Sequence, residues 1–144
     1  MGVTTIELGA QSMDEEVLAC SARGHTAEDT SRASALITAA GFRLGLQMMV
    51  GLPGDDLQRD LFTARRIVEL GAAETRIYPV LVIRGTKLEE WFLKGEYLPL
   101  SLDETVDRLK YIIPVFQDAG VEVTRVGLLT NRGFLEKELV AGPY

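Results

Sequence analysis

Apolar positions along this chain alternate between two patterns. Short runs of apolar and β-branched residues bounded by glycine predict strands, and stretches with apolar residues three and four apart predict helices. The richest run is Phe42 to Asp55, FRLGLQMMVGLPGD. Leu44, Leu46, Met48, Met49, Val50 and Leu52 show little alternation, as expected of a parallel strand covered on both faces. Gly51, Pro53 and Gly54 then end the run in a glycine-rich loop. Asp55 and Asp56 are placed to cap a helix carrying Leu57, Leu61, Ala64 and Val68 on one face.

The same strand–loop–helix unit recurs on either side. Val3 to Gly9 predicts a first strand, and Ser12 with Glu15 fits a capping box for a short helix ended by Arg23-Gly24. Thr26 caps a second helix with Ala33, Leu36, Ile37 and Ala40 as its buried stripe and Gly41 as its left-handed cap. Gly71 closes the helix after the organising loop. Arg76 to Ile83 predicts a third strand, in which Pro79 requires an edge, a bulge or a strand end. Arg84-Gly85-Thr86 is a second glycine-bearing loop, followed by a short helix over Leu88 to Lys94. Ser101 and Glu104 open a longer helix with a stripe of Val106, Leu109, Ile113 and Phe116, in which Pro114 predicts a kink. Val121 to Leu129 predicts a fourth strand, and the tail after Asn131 carries no clear pattern.

The resulting order, β-α-α-β-α-β-α-α-β, predicts an α/β fold with a parallel sheet and right-handed crossovers. It fits part of a barrel or an open doubly wound sheet. A complete eight-stranded barrel takes about 250 residues, and this chain has 144. The expectation is therefore one domain over residues 1–144 whose raw sheet edges are covered by a further segment or by another copy in a homo-oligomer.

Composition narrows the chemistry. A net charge of −6 argues against a broad nucleic-acid-binding face. One cysteine, Cys20, and one histidine, His25, exclude an internal disulfide and a Cys- or His-rich metal site. No apolar run is long enough to span a bilayer and no secretory pattern opens the chain, so a cytoplasmic, membrane-free protein is expected.

At ELGAQS, RGHT, MMVGLPGD and IYPVLVIRGTKL the sequence resembles the radical S-adenosylmethionine (SAM) enzymes. It is most similar to the branch containing the elongator catalytic subunit and the oxygen-independent coproporphyrinogen oxidases. The resemblance runs from about Val3 to about Leu129. It implies the second half of a six-stranded partial (β/α) barrel. The first half of that fold carries the CxxxCxxC loop holding a [4Fe–4S] cluster, and this sequence has neither that loop nor the family's glycine-rich SAM-contacting segment. The implied cofactors, SAM and the cluster, belong to a full-length parent, with none expected on this chain alone.

Carried over position by position, the resemblance assigns SAM contacts to Gln11, Arg23 and Gln47. An amide suits ribose hydroxyls and a guanidinium suits a carboxylate. It places the Val50 to Asp55 loop, with Val50 and Gly51, on the adenine side, and the backbone of Ile83 and Arg84 at the next strand end. Plainer roles stand beside these. Glu7 fits a barrel lumen or a solvated edge equally well. His25 reads as a structural histidine, Cys20 as a small buried hydrophobe, and Met48, Met49 and Tyr78 as core. Arg65 and Arg66 read as a solvated helix face.

The function implied is a fragment of a radical SAM enzyme, supplying SAM-binding and substrate-wall residues to reductive SAM cleavage and hydrogen abstraction. The parent is expected to be an enzyme and the isolated chain inactive. The substrate is a tRNA or a small molecule such as a tetrapyrrole, and the elongator family's acetyltransferase domain is absent from this sequence. The alternative is a non-catalytic α/β module that oligomerises, or that binds a small anion at the GLPGD loop. A phosphate-binding barrel enzyme is weaker, because no lysine or carboxylate pair falls at the strand ends.

Overall fold

The structure is a computed structural model that describes residues 2–129 and 132–144. In chain order it has β1 (Thr5–Gln11), α1 (Glu15–Cys20), α2 (Ala27–Ala39), β2 (Arg43–Val50), α3 (Leu57–Glu69), β3 (Glu74–Pro79), β4 (Val82–Ile83), α4 (Lys87–Leu93), α5 (Leu102–Asp118), β5 (Glu122–Val126), α6 (Arg132–Lys137) and β6 (Leu139–Ala141). Four strands form a parallel sheet in the order β1-β2-β3-β5. A doubly wound sheet reverses its strand order at a switch point. This sheet never reverses, which is the winding of a barrel. Among the described residues no helix is long and apolar enough to cross a membrane.

The predicted third strand divides at Pro79. β3 ends there because proline cannot continue the ladder. Val82 and Ile83 instead pair antiparallel with β6, which the sequence pattern left unassigned. β1 ends two residues later than predicted, at Gln11.

β2 is covered by helices on one face only, contrary to expectation. Leu44, Leu46, Met48 and Val50 are buried against Ala64 and Ile67 of α3 and Ile112 and Phe116 of α5. Gly45, Gln47 and Met49 alternate to the opposite face. There Glu7 of β1 and Glu74 of β3 approach across Gly45, where a Cβ would press on both side chains. The second face of the sheet is thus polar and half-buried.

The helices bury the predicted stripes only in part: Ile37 and Phe116 are buried and Leu109 and Ile113 pack against the core. α2 buries Thr30, Ser34 and Ile37, while Leu36 is 72% exposed. α5 buries Thr105, Ile112 and Phe116, and Val106 faces outward. In each case a small hydroxyl residue enters the core because its proton goes to the carbonyl four residues back: Ser34 to Thr30 at 2.8 Å, Thr105 to Ser101 at 2.8 Å. An apolar count misses such positions. The capping boxes at Thr26/Asp29 and Ser101/Glu104 both form. α1 is capped by Asp14 instead of Ser12. Ser12 is buried, sharing a hydrogen bond with Thr63 of α3 at 3.2 Å. α5 continues through Pro114 to Asp118.

Candidate functional site at the strand ends

The carboxyl ends of β1, β2 and β3 open onto one hollow of about 360 Å³, lined by Gln11, Gln47, Met49, Tyr78, Pro79, Leu81, Ile83 and Leu128. Two side-chain amides, those of Gln11 and Gln47, stand at its edge. β1 loses register against β2 between Gly9 and Gln11, and Gln11 adopts a left-handed φ of 64°. That conformation costs a non-glycine residue about 1 kcal/mol or more. It is stabilised from both sides. His25 Nε2 donates to the Ala10 carbonyl at 3.0 Å, which fixes the tautomer and gives this histidine its structural role. The Ser12 amide donates to the same oxygen at 2.8 Å. The Gln11 amide then folds back over Gly9, where a Cβ would collide with Nε2, so glycine is required for this close approach.

Gln47 is fixed by charge. Its Nε2 donates to the Glu7 carboxylate, whose other oxygen lies 3.4 Å from Arg76. Glu7 is therefore a partnered group on the polar face of the sheet, and it leaves the Gln47 carbonyl free to turn toward Gly9 and Gln11.

Of the sequence-assigned residues, Gln11, Gln47 and Ile83 meet in this hollow. Arg23 is exposed and lines an adjoining hollow of about 250 Å³ with Met49, Leu52, Leu81, Lys87 and Trp91; Met49 and Leu81 form the wall between the two. Arg84 turns outward, its Nε donating to the Lys137 carbonyl at 3.0 Å and its amide to Glu138. Val50 is fully buried in the helix-side core. Tyr78 and Met49 line the hollow, though the pattern predicts both as core. The signal was present in the alternation: Tyr78 shares a face with Arg76, and Met49 with Gln47. Cys20, expected to be buried, is exposed at the end of α1.

Gly51 belongs to a third, separate cluster under the loop. Its φ is +86°, and a Cβ would meet the Leu100 side chain at 2.9 Å. Its amide donates to Asp55 at 3.1 Å, and its carbonyl accepts the Tyr97 hydroxyl at 2.6 Å. Burial raises the Tyr97 pKa, and the Asp55 carboxyl adds to it. The α3 start is capped by Asp56, which accepts the Arg59 amide at 2.9 Å. Asp55, expected to cap as well, instead turns inward toward Asp60 and Arg108.

These arrangements limit what can bind. Two amides of the GLPGD loop and the helix start after it are already taken, that of Gly51 by Asp55 and that of Arg59 by Asp56. Among the described residues no cluster of metal-ligating side chains exists, so the chain's own residues do not fit an iron–sulfur cluster. The strand-end hollow offers a mostly apolar lining with two side-chain amides, Gln11 and Gln47, at its edge.

The family described as the radical SAM C-terminal domain matches residues 73–144. A tRNA uridine(34) acetyltransferase from Methanocaldococcus jannaschii is 37% identical over 114 residues, 77% of this chain and 21% of the relative. An elongator complex protein 3 from Schizosaccharomyces pombe is 34% identical over 119 residues, 78% of this chain and 22% of the relative. The structure of an archaeal Methanocaldococcus infernus Elp3 with an N-terminal deletion superposes with a TM-score of 0.78 at 30% identity. That match covers 97% of this chain and 32% of the other. The chain spans about a fifth of the length of the curated relatives it matches.

Proposed function

The chain belongs to the radical SAM C-terminal domain family, and from that premise we propose that it forms the second half of the SAM-binding barrel of a radical SAM enzyme acting on tRNA. The observation that carries this reading is the pair of side-chain amides, Gln11 and Gln47, at the mouth of a largely apolar hollow. In this reading Gln11 and Gln47 hydrogen-bond the ribose hydroxyls. Met49, Ile83 and Leu81 give the adenosyl group an apolar wall. Arg23 faces the ligand's carboxylate from the adjoining hollow. SAM, bound with a [4Fe–4S] cluster in the parent, supplies the radical chemistry. This chain's residues bind, orient and exclude water. The polar face of the sheet, with Glu7, Gln47 and Arg76, lines the barrel lumen, and the cluster-holding half lies in the parent. A tRNA substrate is supported by the named activity of the tRNA uridine acetyltransferases.

The test is SAM affinity in the cluster-reconstituted parent. Gln11→Ala is expected to weaken SAM binding about 2- to 10-fold, the scale of about 0.5–1.5 kcal/mol for one neutral hydrogen bond. Removing the cluster with a chelator is expected to abolish SAM cleavage. Unchanged SAM affinity in both Gln11→Ala and Gln47→Ala would remove the amide pair from the site.

A further inference from the structure

Beneath the GLPGD loop two carboxyl groups and one guanidinium come together, Asp60 buried and Asp55 and Arg108 partly exposed. Asp60 of α3 is 1% exposed. Its Oδ2 accepts from Arg108 of α5 at 2.8 Å. Its Oδ1 is buried with no donor reaching it. The Asp55 carboxyl lies beside it and acts on its ionisation, and Asp55 in turn accepts the Gly51 amide. Two carboxylates cannot hydrogen-bond each other, whereas a carboxylic acid and a carboxylate can. Charge counting agrees. Two carboxylates beside one guanidinium, one of them the buried Asp60, leave a net negative charge, and one retained proton makes the set neutral.

We infer that Asp55 and Asp60 share one proton beneath the Gly51–Asp55 loop, and that this pair, braced by Arg108, positions the loop as a wall of the hollow containing Arg23. Leu52 and Pro53 line both that hollow and the cavity above the carboxyl pair, so the loop is the partition between them. The groups facing the pair are Arg108 from α5 with Glu104 acting on it, Tyr97 and Glu96 from the connector before α5, and Asp56 at the loop's end. Burial, with the Asp55 carboxyl adding to it, pushes Asp60 above the usual carboxylate range. Asp55 and Asp60 act as positioning residues here. Their effect on SAM rests on the reading above, while the shared proton itself does not.

The experiment is an NMR titration of the isotopically labelled chain from about pH 4 to about pH 9, following the Asp55 and Asp60 carboxyl carbons and the Gly51 amide. One carboxyl of the pair is expected to keep the shift of its protonated form through neutrality. The Gly51 amide is expected to move with the release of that proton. Stability supplies the second readout. The unfolded chain ionises both carboxyls near their ordinary pKa, so the native state holds the extra proton and the urea midpoint falls as pH rises toward about 8. Asp60→Asn donates to Asp55 through Nδ2 and keeps an acceptor for Arg108, so its midpoint is expected to lose this fall and its Gly51 amide shift to become independent of pH. Two carboxyls titrating together in the ordinary range overturn the inference, as does an Asp60→Asn profile parallel to the wild type. None of these readouts involves SAM, so they test the shared proton separately from the proposed function.

Discussion

At the scale of residues, this chain places its chemistry through second partners. Gln47 is aimed by Glu7, and Glu7 by Arg76; Gln11 is aimed by the absence of a Cβ at Gly9 and by His25 on the preceding carbonyl. The candidate ligand contacts were legible as residue types. Their aiming was not, because it depends on pairs far apart in sequence, such as the 40-residue separation of Glu7 and Gln47. Tyr97 illustrates the same point, since nothing local marks it as the partner of Gly51. Tyr97→Phe keeps the ring's packing and strands a buried carbonyl. It is expected to cost about 1–2 kcal/mol, read as a lower urea midpoint with an unchanged m-value. An unchanged midpoint would show that the hydroxyl does not hold the loop.

At the scale of elements, signals that act locally were the readable ones. Thr26 and Ser101 begin their helices as predicted because a capping box is complete within four residues. Pro79 ends its strand because it lacks a donor. The errors arose where tertiary packing chose the face. Leu36 lost the core to Thr30 and Ser34, and Val106 to Thr105, since satisfied hydroxyls let small residues pack closer than leucine or valine. β6 was unreadable because three residues pairing with two carry no periodicity. The helix-side layer turns on Phe116, which is fully buried between α3 and the sheet. Phe116→Ala is expected to destabilise the chain by about 3–5 kcal/mol. Phe116→Leu is expected to cost far less, and equal losses in urea unfolding would assign the effect to something other than the vacated volume.

At the scale of the whole molecule, a four-stranded parallel sheet clothed on one face leaves two edges and a polar inner surface without helices. Charge on that surface, in Glu7, Glu74 and Arg76, suits a lumen better than a dry interface. The open edges of β1 and β5 still invite pairing. The isolated chain is expected to form a dimer or larger assembly, with mass by light scattering rising with concentration. A constant monomer mass at high concentration would contradict this. The central claim concerns the strand-end hollow, and its most direct test is a titration of the labelled chain with S-adenosylhomocysteine, which carries the adenosyl and amino-acid groups of SAM. The account predicts saturable shifts in the side-chain amides of Gln11 and Gln47 and in the methyls of Met49 and Ile83, with the exposed amides of Gln58 and Gln117 unmoved. Shifts confined to other surfaces, or none up to millimolar ligand, would contradict it.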